Sequence, residues 1–232
     1  MNKGKHVIVE KPMAMSIDDA NLMIETAKKN NVKLSVAHQN RFNKPIQKLR
    51  EAVEEEKLGR IMNGTARILW RRDDNYYKQA PWRGTWDLDG GTLMNQCIHN
   101  IDLMQWMIGS EVERVYAECD TYRNNIEGED FGAILVRFKN GAIGIIEGSA
   151  VVYPKNLEET LSIFGTQGTV VIGGLAVNEL KTWRFEGEDE EGLKKTLMQA
   201  IALLQDDYLG GHGSRGYGQV EITLDNPQEK NY

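Results

Sequence analysis

The chain has 232 residues, with 28 Lys and Arg against 34 Asp and Glu, a formal net charge of −6, 41% hydrophobic and 27% charged residues. This is an ordinary globular composition, which excludes disordered and collagen-like classes, and its acidic balance without a long basic block favours a small-molecule partner over nucleic acid or an anionic membrane. No run reaches the ~18 consecutive apolar residues of a membrane-spanning helix, no signal peptide is recognisable, and Cys97 and Cys119 are too few for a disulfide framework, so a cytoplasmic chain of one or two domains is expected.

Residues 6–9 are a short apolar, β-branched run that reads as a buried strand. It stops at Glu10-Lys11-Pro12, because proline lacks the N–H that continues a sheet ladder. Ser16 followed by Asp19 resembles a capping box, and Ala20, Met23, Ile24 and Ala27 then recur at helical spacing. Residues 33–38 are again short and apolar, so the opening predicts a parallel βαβ unit. Such units bind ligands beyond the carboxyl ends of their strands, here Glu10-Lys11-Pro12 and His38-Gln39-Asn40-Arg41. A second helix is expected over 43–58, with Pro45 in its first turn and Gly59 just past its end.

From Arg60 onward, strands are expected at 61–72, 112–122, 131–139, 142–150, 158–164, 169–172 and 179–185. Asn140-Gly141 marks a hairpin whose two central residues would take positive φ, and Thr166-Gln167-Gly168 marks another. Tight turns between consecutive strands predict an antiparallel meander, interrupted by one helix over 91–107 that closes at Gly109. Beyond an acidic turn at 186–191, a helix is expected over 192–208 and a strand-like segment at 219–224.

Within the 91–107 helix, Asn95, His99 and Asp102 fall at i, i+4 and i+7, on one face. A half-buried imidazole is a proton-transfer group, and the Asp102 carboxylate could fix its tautomer; the plainer alternative is a core histidine satisfied by its neighbours. Lys11, at a strand's carboxyl end, could orient a hydroxyl or accept its proton, or could be a surface lysine. His6, His38, His99 and His212 are scattered, so no metal site is expected. Residues 211–216 match G-x-G-x-x-G, but they follow a helical segment and precede a strand-like one, the reverse of a dinucleotide-binding turn. No other phosphate-cradling motif occurs.

Glu10-Lys11-Pro12, then His38-Gln39-Asn40-Arg41-Phe42, then the run from Gly90 through Asn95 and His99 to Asp102 together resemble the glucose-fructose oxidoreductase and inositol dehydrogenase (Gfo/Idh/MocA) family of NAD(P)-dependent enzymes. The resemblance runs from about His6 to about Phe185. It implies an α/β (α+β) chain: residues 1–42 as the C-terminal part of a Rossmann domain, and 43–232 as a substrate-binding and oligomerisation domain with a large open, mainly antiparallel sheet covered by helices on one face. By the same resemblance Lys11 would orient the reacting hydroxyl beside the nicotinamide and His99 would be the acid/base. Asn95, Asp102 and Arg41 would contact substrate, while Glu10, Lys11, Pro12, Asn40, Trp82 and Arg83 would face NAD or NADP. Asn95, where many members carry aspartate, and the Met94-Asn95-Gln96-Cys97-Ile98-His99 wording look most like UDP-N-acetylglucosamine-type 3-dehydrogenases, and Trp82-Arg83-Gly84-Thr85-Trp86 fits the same group.

The family's earlier strands and glycine fingerprint have no counterpart before Glu10, so weak or no dinucleotide binding is expected of this chain alone. The expected activity is NAD(P)-dependent oxidation of a sugar or sugar-nucleotide hydroxyl to a ketone; the alternative is a cofactor-less remnant serving as an oligomeric binding or scaffold module. Residues 142–146 and 161–164 are apolar on both alternating sets, which predicts a homodimer or tetramer joined through the open sheet.

Overall fold

The computed structural model describes residues 1–123 and 125–187, and the segments expected at 192–208, 211–216 and 219–224 lie outside them. Met1–Phe185 form one compact unit.

The opening is the expected βαβ unit. β1 (Val7–Glu10) and β2 (Leu34–Ala37) pair in parallel, with Val7 opposite Leu34 and Glu10 opposite Ala37, and α1 (Ile17–Lys29) connects them. The Ser16 hydroxyl accepts from the Asp19 N–H at 3.0 Å and donates to the Asp19 carboxylate at 2.7 Å, so the serine caps α1 while Asp19 pairs with its hydroxyl, where a capping-box glutamate would reach back to the cap's backbone N–H. β1 is not the buried strand its apolar run suggests: Val7 and Val9 are half-buried but Ile8 is 79% exposed. Side chains alternate across a strand, and one helix can cover only one face of a two-stranded sheet.

A 3₁₀ turn, Gln39–Phe42, leads into α2 (Lys44–Glu54). This helix ends short of the expected residue 58 because Glu56 takes a left-handed conformation, φ 57°, and the Lys57 N–H reaches back to the Ala52 carbonyl at 3.0 Å. That reversal is a Schellman stop, reached before Gly59 is needed.

The large sheet has seven strands: β3 (Ile61–Leu69), β4 (Val112–Asp120), β5 (Phe131–Phe138), β6 (Ile143–Ser149), β7 (Glu158–Gly165), β8 (Gly168–Gly173) and β9 (Glu179–Phe185). Their order is β4-β5-β6-β3-β7-β8-β9, so β3, the first in sequence, lies in the centre. It pairs antiparallel with β7 but parallel with β6. The sheet is therefore mainly antiparallel but not a single meander. A strand followed by a long helical connection is free to pair in parallel, which hairpin-linked strands are not. At the β5–β6 hairpin only Gly141 has positive φ, 88°, and its N–H bonds to the Phe138 carbonyl at 2.9 Å. This is a three-residue loop with the left-handed residue last, rather than the two-residue turn that Asn140-Gly141 suggests.

Between β3 and β4 lie α3 (Asp74–Lys78), which the sequence pattern did not reveal, α4 (Gly91–Asn95) and α5 (Ile98–Ile108). The expected single helix is thus broken at Gln96–Cys97. Leu103, Met104 and Met107 of α5 and Ile46 and Leu49 of α2 pack on Ala66, Ile146, Leu161, Ile163 and Ile172 of the sheet, all essentially buried. Burying each large side chain contributes roughly 1.5–3 kcal/mol, so this layer dominates the stability of the unit. The helical cover described is therefore α2 with α5. No described helix is long and apolar enough to cross a membrane.

Candidate active site

Lys11 lies one residue beyond β1, joined to Pro12 by a cis peptide. Its Nζ donates to the Asn95 backbone carbonyl at 2.8 Å and to Asn95 Oδ1 at 3.1 Å. Two of the three ammonium hydrogens are thereby used, leaving one for a ligand. Burial lowers the Lys11 pKa; the charges of Arg72 and Arg83 act the same way, while Asp89 and Glu10 oppose them. The Asn95 amide in turn donates to Asp89, whose other oxygen accepts the Gly84 N–H at 2.6 Å. Lys11 is therefore held by a chain of partners rather than lying free on the surface.

His99, near the start of α5, is only 5% exposed. Its Nε2 lies 3.5 Å from the Gln39 amide nitrogen, and its buried Nδ1 has no hydrogen-bond partner among the described residues. The ring meets His38 edge to face at 6.2 Å. Burial pushes the imidazole down to about 4, helped by the charges of Lys11 and His38 and opposed by Asp102. At neutral pH the ring is uncharged, so one nitrogen is an acceptor.

Asp102 does not perform the expected task of fixing the His99 tautomer. Its two oxygens accept Arg41 Nε at 2.7 Å and Arg41 Nη2 at 2.5 Å, and His38 Nδ1 lies 3.8 Å away. A bidentate guanidinium is a stronger partner for a carboxylate than a neutral imidazole on the same helix face. Arg41 also lies over the Trp106 ring, 4.7 Å from its centroid. Asn95 is likewise not continuous with His99 and Asp102 on one helix, since α4 ends at Asn95.

The structure thus brings Lys11, Asn95, His99, Asp102 and Arg41 to the place where the carboxyl ends of β1 and β2 meet α4 and α5. Asn40 is placed differently: it is 7% exposed and its amide donates to Glu159 Oε1 of β7 at 2.8 Å, an interior tie. Glu10 is exposed and Pro12 half-buried beside Lys11. The Arg83 guanidinium sits over Tyr76 at 4.1 Å and over Trp82 at 4.7 Å, and Trp82 is 39% exposed.

Three participants were not among the site residues expected from the sequence. Gln39 sits at the same strand end as Arg41, so its position was available as a signal. Asp89 directly precedes the glycine pair of the recognised motif. Glu129, from a distant loop, accepts the Leu93 N–H at 2.7 Å through its carboxylate and the Thr92 N–H at 2.9 Å through its carbonyl, fastening the start of α4. A Cβ on Gly91, whose φ is 78°, would stand 1.8 Å from Glu129 Oε2, so both the backbone and the space require glycine there.

The site fits one end of a dinucleotide better than the other. Lys11 and His99 line an edge that a nicotinamide and a carbinol could share. The strand-to-helix turn of the βαβ unit, residues 11–16, contains no glycine and offers no backbone cradle for a pyrophosphate. Among the described residues no group of three His, Cys, Asp or Glu could hold a metal ion.

Residues 46–171 match the GFO/IDH/MocA C-terminal domain, and residues 1–38 match the oxidoreductase family with NAD-binding Rossmann fold. The WlbA dehydrogenase of Chromobacterium violaceum, solved with NADH and UDP-GlcNAcA, is 41% identical, with a TM-score of 0.79 over 86% of this chain and 57% of its own. WlbA of Bordetella pertussis, also with NADH and UDP-GlcNAcA, is 38% identical, with a TM-score of 0.79 over 87% of this chain and 59% of its own. Myo-inositol 2-dehydrogenase of Thermotoga maritima is 30% identical over 173 residues, 72% of this chain and 48% of that protein. The chain spans about half the length of the curated relatives it matches. With one family domain covering more than half of its length and a second matching the strands that carry Lys11 and His38, the chain belongs to the GFO/IDH/MocA family.

Proposed function

We propose that this chain handles the substrate in an NAD(P)-dependent dehydrogenase that oxidises a hydroxyl of a sugar or sugar nucleotide to a ketone. The observation that carries the reading is the convergence of a held, partly desolvated lysine and a buried neutral histidine on the carboxyl ends of a parallel βαβ unit. The free N–H of Lys11 orients the hydroxyl oxygen. His99 Nε2, which meets Gln39 in the free site, takes the hydroxyl proton. When bound, the nicotinamide supplies the hydride acceptor. Asn95 sets Lys11, and the Asp102–Arg41 pair presents a fixed guanidinium to substrate. In this reading Glu10, Pro12, Trp82 and Arg83 border the nicotinamide end, and Asn40 acts through the turn it anchors. The NADH and UDP-GlcNAcA in the two WlbA structures support a sugar nucleotide over a free polyol.

In the same reading residues 1–42 are the Rossmann portion and 43–232 the substrate and assembly portion of a cytoplasmic homodimer or tetramer. The glycine-free turn at 11–16 favours weak NAD or NADP binding by this chain alone. It also keeps one other reading in view, a cofactor-less binding or scaffold module. Calorimetry separates the two: micromolar NADH affinity for the chain would exclude the scaffold and show that another segment holds the phosphates.

The reading itself is tested by His99→Asn in the protein supplied with a dinucleotide-binding half. Loss of a general acid/base should lower kcat by about 10²- to 10⁴-fold while sparing NADH affinity. Lys11→Ala should also lower kcat. A His99→Asn variant turning over at the parent rate would overturn the assignment.

A further inference from the structure

β3 and β6 run parallel, and β4 shares their direction because β5 is antiparallel to both β4 and β6. All three therefore end on one edge of the large sheet. There they deliver residues to one cavity of about 390 Å³: Arg71 and Arg72 after β3, Arg123 after β4 and Val151 after β6, joined by Lys78 of α3. Four cations thus meet two carboxylates, Asp73 and Asp74. Asp73 is already engaged, since its Oδ1 accepts the Tyr76 N–H at 3.0 Å as the cap of α3. Among the described residues none of the four cations forms an ion pair.

Arg72 is the inner member. Its guanidinium lies over Trp70 at 4.8 Å and Tyr76 at 5.1 Å, its Nη1 donates to the Arg71 carbonyl at 2.8 Å and to Asn156 Oδ1 at 3.3 Å, and its buried Nε has no partner among the described residues. A concentration of unneutralised guanidinium on a chain of net charge −6 is electrostatically unfavourable unless an anion joins it. Guanidinium forks match phosphate oxygens in geometry. The cavity is tied to the candidate active site through Tyr76: Arg72 lies over its ring, and its hydroxyl accepts from the Gln96 amide at 3.2 Å, next to Asn95, the partner of Lys11.

We infer that this edge is an anion subsite that receives a phosphoryl group of the substrate, so that the substrate is a phosphorylated or nucleotide-linked sugar rather than a free one. The inference rests on Lys11 and His99 being the hydroxyl-handling pair. A dinucleotide also carries phosphates, but no residue of 1–42 lines the cavity. Its walls belong to the large sheet and α3, which favours the substrate as the source.

Calorimetry on this chain with inorganic pyrophosphate, at low and at moderate salt, tests the subsite without requiring turnover. Binding should weaken with salt. Arg72→Gln should weaken it about tenfold or more, the scale of one charge-assisted hydrogen bond. Because Arg72 stacks in the interior, the exposed variants Arg123→Gln and Lys78→Gln are measured beside it and should each weaken binding severalfold with an unchanged circular dichroism spectrum. Glucose 1-phosphate should displace pyrophosphate, and NADH should not. No pyrophosphate binding, or variants that bind as the parent does, would overturn the subsite. Displacement by NADH and not by glucose 1-phosphate would assign the cavity to the dinucleotide and overturn it equally. His99→Asn should leave pyrophosphate affinity unchanged, so failure of the subsite and failure of the dehydrogenase reading give different results.

Discussion

His99 and Glu159 are both buried and titratable, and their effects on stability have opposite signs. The unfolded chain protonates His99 below its ordinary value of 6.5, but the fold does so only below about 4. Between these values the unfolded state holds more protons, so the contribution is complete above pH 6.5 and is lost as pH falls towards 4. The loss is on the order of 1.4 kcal/mol per unit of pKa shift, and His99→Gln should flatten the slope of urea-unfolding free energy between pH 6.5 and 4.5. An unchanged slope would place the titrating group elsewhere. The same depressed value predicts that kcat/KM holds at pH 5.5 and declines only towards pH 4, whereas an ordinary imidazole base would already have failed. Glu159 is pushed up to about 7 by burial, with the Asn40 amide opposing. The fold keeps its proton between 4.5 and about 7 while the unfolded chain releases it, so its contribution is present at low pH and is lost as pH rises through 7. Glu159→Gln retains an acceptor for Asn40 and should stabilise the protein at pH 8 by on the order of 1–3 kcal/mol, with little change at pH 5. Equal effects at both pH values would contradict the assignment.

At the scale of elements, the break between α4 and α5 decides how the site is assembled. Cys97 lies in the break and is fully buried against β6, where a Cβ on Gly148 would meet its Sγ at 2.1 Å. Gly148→Ala should therefore destabilise the protein by about 1–3 kcal/mol, the usual effect of overpacking. Adding Cys97→Ala should recover part of that loss, because the second change removes the clashing atom. Thermal unfolding of the two single variants and the double variant checks the coupling; strict additivity would mean that the two positions do not touch. One residue beyond His99, the Asn100 amide donates to the Arg67 and Thr160 carbonyls, each at 3.1 Å, and so fastens α5 to β3 and β7. The Asn40–Glu159 tie secures the 3₁₀ turn to the same strand, beside Thr160. β7 therefore holds both the helix that carries His99 and the turn that carries Gln39 and Arg41.

For the molecule as a whole, one face of the large sheet has no described helix packed on it. Tyr116, Leu135 and Ile145 share it and are 62%, 47% and 48% exposed, beside the Arg67–Glu147 and Arg67–Glu158 ion pairs at 2.8 and 3.0 Å. The face mixes apolar and charged side chains, as interfaces do, instead of being uniformly apolar as the strand sequences suggest. Two-fold pairing through it predicts a dimer in light scattering, independent of cofactor, and Leu135→Asp should shift the dimer to monomer. A monomeric parent at micromolar concentration would defeat this expectation.

Local order was legible without coordinates. Strand, helix, strand at the start, the serine cap of α1 and the strands of the large sheet follow from spacing and residue type, because alternation and helical periodicity are set by neighbours in the chain; the motif around His99 was legible as a family resemblance. Fold class was therefore readable. The central place of β3, the helix break at Cys97, the turn of Asn40 inward to Glu159 and the capture of Asp102 by Arg41 were not. Each depends on what stands opposite in space: a strand pairs with whichever edge its connection reaches, a cysteine settles where a distant glycine leaves room, and a carboxylate binds the strongest donor that folding brings to it. The sequence determined which groups were available for chemistry; only the tertiary structure decided which of them face one another, because hydrogen bonds and ion pairs form between neighbours in space.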